Sequence, residues 1–173
     1  MSEEKKRGRG RPKGAPNKPK MELVTERVRL TNDANVYEIL CQTDLVLGDN
    51  EEFAINGLRT FASRNGAVEK VLQWLFDDNI NSTLPDGKTP YGENQAPAGD
   101  LSETSLRFEF KKFKYFVTEQ VPQVRRESLW IQLLEGIPKE EAVLIDLVKD
   151  KVNPFKNINK KFVQEAFPNT VFN

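Results

Sequence analysis

The chain of 173 residues has no histidine, one cysteine (Cys41), and 26 basic side chains that balance 26 acidic ones. This length fits one domain with a tail, and the missing histidine excludes Ser-His-Asp triads, Cys-His pairs and histidine-dependent zinc sites. One cysteine allows no disulfide within the chain, no apolar run reaches the roughly 18–20 residues of a membrane helix, and the N-terminus lacks the apolar stretch of a secretory signal. We therefore expect a cytoplasmic protein without a membrane partner.

The neutral total hides an uneven distribution of charge. Residues 1–20 carry eight basic and two acidic side chains, a net charge of +6, whereas residues 21–173 carry 18 basic and 24 acidic groups, a net charge of −6. A basic arm joined to an acidic body points to a polyanionic partner. Because the arm is rich in Gly and Pro and has no large aliphatic or aromatic residue beyond Met1, we predict that it is disordered in the free protein.

Within this arm, the order Arg9-Gly10-Arg11-Pro12 with basic flanks resembles an AT-hook, a short motif that binds the minor groove of A/T-rich duplex DNA. The narrow A·T minor groove has a strong negative potential that attracts arginine side chains. Gly10 allows the backbone to approach the groove floor, and Pro12 fixes φ and directs the chain outward. The residues predicted to contact DNA are Lys5, Lys6, Arg7, Arg9, Gly10, Arg11, Pro12 and Lys13.

Two other interpretations of the arm stay open. Basic Gly-Arg sequences also bind RNA and other polyanions with little selectivity, and charge runs are often solubilising tails without a partner. A single hook binds weakly, so the globular part is expected to add a protein partner, an oligomer or a second DNA contact.

A helical body follows the arm. Residues 21–32 alternate enough to form a short strand or a linker, and from Asp33 the apolar residues recur at spacings of three and four. This periodicity predicts helices over about 33–47, 50–65, 67–78, 102–119, 122–135, 138–150 and 159–167, followed by a C-terminal tail at 169–173. The predicted fold is mainly α: a single compact domain of six to seven helices (33–168) with a long irregular loop, preceded by a disordered basic tail.

The irregular loop covers residues 79–101 and is rich in turn-forming residues. Asp86-Gly87-Lys88 and Pro90-Tyr91-Gly92 predict defined turns rather than disorder. Loops of about twenty residues in a compact domain are usually functional or mobile. This one is a candidate for either role, or for a boundary between two helical subdomains.

A second basic surface is predicted on the fourth and fifth helices, where basic residues alternate with aromatic ones. Such interleaving is found in nucleic-acid platforms, although core aromatics beside a solvated basic face give the same pattern. The possible secondary nucleic-acid contacts are Lys111, Lys112, Lys114, Arg125 and Arg126.

The sequence offers little for catalysis. The pairs Glu51-Glu52, Asp77-Asp78 and Glu140-Glu141 are the candidates for a carboxylate-metal nuclease, but each lies at a helix end, where the helix dipole or an exit turn explains it. Cys41 lies on an apolar stripe with no histidine to activate it, which favours a buried position. We expect no catalytic residues, no metal and no cofactor.

Three stretches of the body resemble an uncharacterised domain family of large T-even-like tailed phages, including cyanophages. They are Leu84–Tyr91, Arg125–Gly136 and Lys160–Pro168, within a resemblance that covers about residues 35 to 168. This resemblance implies a phage protein in a bacterial cytoplasm and supplies no activity. Together with the arm, it predicts a DNA-binding accessory factor with an unidentified partner from phage or host nucleic-acid machinery. The alternative is an interaction or virion-associated structural protein whose tail binds polyanions non-specifically.

Overall fold

The computed structural model describes residues 21–93 and 102–173, and these residues contain seven α-helices and one 3-10 helix but no β-strand. The predicted fold class is confirmed. The elements are α1 (Val36–Leu47), α2 (Glu51–Arg64), α3 (Ala67–Phe76), α4 (Leu106–Glu109), the 3-10 helix (Phe110–Tyr115), α5 (Gln123–Gly136), α6 (Lys139–Lys149) and α7 (Lys160–Ala166). The arm 1–20, with its expected disorder, and residues 94–101 of the loop lie outside the described residues.

Local capping residues set the helix starts. The Asn35 side chain accepts a hydrogen bond from Glu38 N at 2.9 Å, and the Glu38 carboxylate accepts one from Asn35 N at 2.8 Å, which forms a capping box. Helix α1 therefore begins three residues later than the predicted Asp33. Asn50 and Asn159 cap α2 and α7 through their side-chain oxygens. These oxygens accept hydrogen bonds from the backbone N–H groups of Phe53 and Phe162, respectively.

The prediction of one continuous α-helix over residues 102–119 is wrong. A single turn, α4, passes directly into the 3-10 helix at Phe110. The three phenylalanines at 110, 113 and 116 recur at a spacing of three, and in a 3-10 helix side chains at that spacing lie above one another. This winding places Phe113 and Phe116 together in the core, with Phe110 half-buried beside them.

Aromatic side chains form the centre of the core. The rings of Trp74 and Phe113 lie 5.1 Å apart, those of Trp74 and Trp130 5.9 Å apart, and those of Phe116 and Trp130 4.9 Å apart. These tilted and edge-to-face contacts are the arrangements that aromatic pairs prefer. They join α3 and α5 to the 3-10 helix, so Trp74, which falls off the apolar stripe of its own helix, packs on other elements.

The segments that flank the helices pack on the body. Tyr37 donates a hydrogen bond to Glu22 O at 2.6 Å, and the Gln42 amide oxygen accepts one from Val28 N at 3.1 Å, so the linker follows α1 without forming a strand. At the other end, Phe172 is buried in the core. The C-terminal tail therefore belongs to the domain.

Candidate functional site

The predicted DNA-binding arm is not among the described residues. All eight of its predicted DNA contacts fall within residues 1–20: Lys5, Lys6, Arg7, Arg9, Gly10, Arg11, Pro12 and Lys13. Their role stays a prediction, and the described candidate sites all lie on the body.

The second predicted basic surface is only partly exposed. Its exposed members are Lys111, Lys112, Lys114 and Arg125. Arg126, in contrast, is 6% exposed, and its guanidinium donates to Val121 O at 2.7 Å and to Thr83 O at 3.5 Å. Arg126 therefore connects the start of α5 to the segment near residue 83. Its inclusion in a nucleic-acid surface is corrected, because these internal contacts bury the charge.

The exposed lysines of this surface differ in their neighbours. Lys112 forms an ion pair with Glu109 at 2.5 Å, and Lys114 lies 5.1 Å from the ring centre of Tyr115. Burial acts to raise the pKa of Glu109, but hydrogen bonds from Lys112 and Thr104 outweigh it and lower that pKa overall. The charge of Lys112 is thus largely balanced within the body.

The pinned loop, residues 85–92, is held in place by acidic side chains in α6 and at its C-terminal end. Asp146 accepts hydrogen bonds from Thr89 N at 3.0 Å and from Thr89 Oγ1 at 2.5 Å. One turn further on, Asp150 accepts from Gly87 N at 3.0 Å. Gly87 has φ of 90°, a left-handed conformation that glycine adopts without steric cost. The turns predicted here are therefore fixed by side chains 57 to 63 residues away.

Helix α5 holds the same loop from a second side. The Trp130 indole Nε1 donates to Thr89 Oγ1 at 3.1 Å, and the Glu135 carboxylate accepts from Gly92 N at 3.1 Å. Thr89 thus donates to an α6 carboxylate and accepts from an α5 indole. The loop is therefore a structural joint between two helices.

A buried lysine completes the pinned loop. The Lys149 side chain has no solvent exposure, and its ammonium donates to Pro85 O and Gly87 O at 2.9 Å each and to Asp150 Oδ1 at 2.8 Å. Three acceptors match the three N–H groups of an ammonium. This buried charge is fully satisfied, and it binds the loop backbone to the end of α6.

A polar cleft of about 400 Å³ lies beside the pinned loop. Its polar lining consists of two tyrosines, two lysines, three glutamates and one aspartate: Tyr37, Tyr91, Lys88, Lys139, Glu22, Glu93, Glu140 and Asp146. Burial raises the pKa of Tyr91 to about 12 and also raises that of Tyr37. Because its charges are mixed and Lys139 pairs with Glu93 at 3.3 Å, the cleft has no single sign that would select a charged ligand.

Glu141 is the least expected buried group. The sequence places it in the first turn of α6, but its side chain is completely buried, beside the backbone N–H groups of Val36 and Leu106 that begin α1 and α4. Neither carboxyl oxygen makes a well-formed hydrogen bond within the described residues. Burial raises its pKa to about 8, and Glu38 adds to the rise while the two amides oppose it. Glu141 therefore lies at the N-terminal ends of three helices: α6, to which it belongs, and the neighbouring α1 and α4.

The remaining acidic pairs lie at helix ends. Glu51 and Glu52 are exposed in the first turn of α2, and Asp77 accepts from Asn79 N at 2.9 Å just after α3. Asp78 lies 3.5 Å from Lys160. Within residues 21–93 and 102–173, no group of three or more acidic or cysteine side chains is placed to hold a metal ion.

The cysteine and the apolar character of the helices also bear on the class of protein. Cys41 is buried, as predicted, and burial raises the pKa of its thiol, which disfavours the reactive thiolate. In the part of the chain that the structure describes, no helix combines the length and apolar character needed to span a membrane.

An apolar groove of about 330 Å³, the linker groove, lies between residues 27–30 and helices α1 and α2. Phe53 and Val28 border it and are 66% and 60% exposed. Arg27 and Arg29 also line it, and Arg27 pairs with Asp49. Exposed apolar residues beside a groove are typical of sites that contact another protein.

Several residues that shape these sites were missed by sequence reasoning. Lys149, Asp146 and Asp150 hold the pinned loop, yet none was singled out from the sequence. The spacing of four between Asp146 and Asp150 was an available signal, because it places both carboxylates on one face of a helix. The turns of the loop follow from the sequence, whereas its helical partners do not.

The described body is thus an all-helical domain organised around a pinned loop. The chain belongs to the family of unknown function DUF6433, which it matches over residues 50–153, more than half of its length. No similar curated protein and no similar solved structure was found. The match confirms the predicted membership of an uncharacterised family and spans the pinned loop with its partners on α5 and α6. It leaves the activity and the phage setting as predictions.

Proposed function

We propose that the protein is a non-catalytic DNA-binding accessory factor that acts in the cytoplasm of a phage-infected bacterium. Its N-terminal arm binds the minor groove of A/T-rich DNA, and its helical body binds a protein of the phage or host machinery for transcription, replication or genome handling. The observation that carries the DNA-binding proposal is the core order Arg9-Gly10-Arg11-Pro12 within a segment of charge +6.

The charge distribution supports a division of labour. The acidic body, with a net charge of −6 over residues 21–173, is repelled by DNA over most of its surface. The arm is the segment with a strong positive excess, so affinity for duplex DNA resides there. A single hook gives weak binding, and a partner held by the body raises the effective concentration at the DNA.

The linker groove supports the partner proposal. It is bordered by the segment that connects the arm to α1, so a protein bound there lies close to the DNA held by the arm. Phe53 gives this groove a large exposed aromatic side chain, the type of residue that often dominates binding energy at interfaces.

A gel-shift titration of the full chain with A/T-rich and G/C-rich duplexes at several salt concentrations tests DNA binding. We expect a preference for the A/T duplex, and we expect R9A/R11A to lose about tenfold or more in affinity for it, because both minor-groove contacts disappear. The matched control K18A/K20A removes the same charge from the same arm outside the core. It is expected to weaken both duplexes equally.

Equal affinity for the two duplexes, with R9A/R11A no worse than K18A/K20A, would contradict the proposal. That result would favour the alternative in which the tail binds polyanions without selectivity and the body is an interaction or structural module.

Affinity purification from infected cells, with nuclease treatment to remove DNA-bridged proteins, tests the partner. We expect the wild-type chain to retain a protein after nuclease treatment and Phe53→Ser to lose it, because the serine removes the largest exposed apolar contact of the linker groove. Val124→Ser is the control, since Val124 is 80% exposed and does not line the groove. Equal recovery by the two variants would show that the partner does not bind at the linker groove.

A further inference from the structure

A second apolar cavity, the Trp74 cavity, lies between α3 and the 3-10 helix and has a volume of about 480 Å³. Aromatic side chains and lysines line it: Trp74, Phe110, Phe113, Lys70, Lys111 and Lys114. The Phe110 ring packs against Gly66, where an added Cβ would lie 3.1 Å from the ring. Glycine at this position therefore lets the aromatic wall lie close to the start of α3.

Trp74, one of the residues that line the cavity, has a hydrogen-bond donor without an acceptor. Trp74 is 1% exposed, and its indole Nε1 is buried with no partner in the described part of the chain. The other tryptophan differs, because Trp130 Nε1 donates to Thr89 Oγ1 at 3.1 Å. Buried indole N–H groups usually have an acceptor, so Trp74 suits a ligand that carries one.

The lysines around the cavity are not neutralised by neighbouring carboxylates. Lys70, Lys111 and Lys114 are exposed, and none forms an ion pair with a carboxylate within residues 21–93 and 102–173. The neighbouring Lys112, which pairs with Glu109, does not line the cavity. Lys70 donates only to the Gln73 amide oxygen, at 3.2 Å. Three cations without a carboxylate partner at an apolar cavity match a ligand with an aromatic part and negative charge.

We propose that the Trp74 cavity binds an unpaired base of single-stranded DNA, whose flanking phosphates contact Lys70, Lys111 and Lys114. A base has apolar faces that pack on Phe110 and Phe113, and ring or carbonyl acceptors that suit the Trp74 indole N–H. The volume falls within the range of known ligand sites. This function is distinct from that of the arm, which reads duplex DNA, and it stands if the arm proposal fails.

The test uses the full chain and an oligothymidylate, with binding followed by fluorescence anisotropy and by quenching of the two tryptophans. We expect the oligomer to quench tryptophan fluorescence and K111A/K114A to weaken its binding about tenfold at low salt. Binding of an A/T-rich duplex, which depends on the arm, is expected to change less than about twofold. The control K156A/K161A removes two exposed charges that do not line the cavity.

Trp74→Phe adds a test of the indole N–H, because phenylalanine keeps an aromatic ring and removes the donor. We expect a several-fold loss of oligothymidylate affinity, with a helical circular dichroism spectrum like that of the wild type. Trp74 is a core residue, so Trp74→Phe could fail to fold. In that case the comparison of K111A/K114A with K156A/K161A tests the proposal.

Three results would overturn the proposal. One is oligothymidylate binding without tryptophan quenching. Another is an equal effect of K111A/K114A and K156A/K161A, which would assign single-strand binding to the arm. The third is displacement of the oligomer by a short acidic peptide with an aromatic residue at equal or lower concentration, which would identify the cavity as a protein-binding site.

Discussion

Replacing Glu141 with glutamine is expected to remove most of the pH dependence of folding stability between about pH 5 and 8. Burial raises the pKa of this carboxyl from 4.5 to about 8, so the folded protein holds a proton that the unfolded chain releases near pH 4.5. The stabilisation from this proton is complete below pH 4.5 and is lost as the pH rises through 8. The free energy of unfolding of the wild type should therefore fall by about 2–4 kcal/mol between pH 5 and 8 from this group alone.

Urea denaturation of the two proteins at pH 5, 6.5 and 8 measures this effect. Glutamine keeps the shape of the side chain and cannot ionise, so the free energy of unfolding of the variant should change little over this pH range. Relative to the wild type, the variant should therefore become more stable as the pH rises. Glu52→Gln, at an exposed position of α2, makes the same chemical substitution and should show the same pH dependence as the wild type. Parallel curves for Glu141→Gln and the wild type would show that the buried carboxyl does not titrate in this range.

The position of Glu141 shows what the sequence can and cannot predict. A glutamate in the first turn of a helix is ordinarily a surface residue that favours the helix dipole, and nothing local distinguishes Glu141 from Glu140. Its burial follows from packing of α6 against α1 and from its position beside the first amides of α1 and α4. Contacts between elements so distant in the chain leave no periodic signal.

Most helices, in contrast, could be predicted with bounds close to the observed ones. Apolar spacing and short-range caps such as Asn50 and Asn159 are local, and they determine α2 and α7 within a few residues. The exception is the predicted helix at 102–119. Phe110, Phe113 and Phe116 recur every three residues, which matches a 3-10 helix, but they also lie close to an α-helical stripe. The core contacts with Trp74 and Trp130 favour the tighter winding.

The candidate site residues also divide into those that a local sequence pattern predicts and those that only the folded chain brings together. The exposed lysines of the 3-10 helix were found from their alternation with aromatic residues, because that pattern is contiguous in the chain. Arg126 belongs to the same run of basic residues but is buried, since Val121 and Thr83 supply carbonyl acceptors that only the folded chain brings together. Charge patterns therefore predicted which segments are basic, and the fold decided which charges reach solvent.

Replacing Lys149 with methionine is expected to destabilise the protein by about 3–5 kcal/mol, the usual cost of removing one partner of a buried ionic cluster. Methionine fits the aliphatic volume but leaves Pro85 O, Gly87 O and one oxygen of Asp150 without their donor. The expected result is a lower urea midpoint with an unchanged slope. Lys156→Met, at an exposed position, is the control and should change stability by less than about 0.5 kcal/mol.

A double-mutant cycle separates the lost charge pair from the lost carbonyl contacts. Asp150→Asn combined with Lys149→Met removes the unpaired carboxylate, while the amide oxygen of the asparagine still accepts from Gly87 N. The double variant should therefore be more stable than Lys149→Met alone. If Lys149→Met is as stable as Lys156→Met, the buried ammonium does not hold the loop. If the loop does depend on Lys149, Lys149→Met should also disturb the polar cleft, because Lys88, which lines the cleft, follows directly on the Gly87 carbonyl that the ammonium binds.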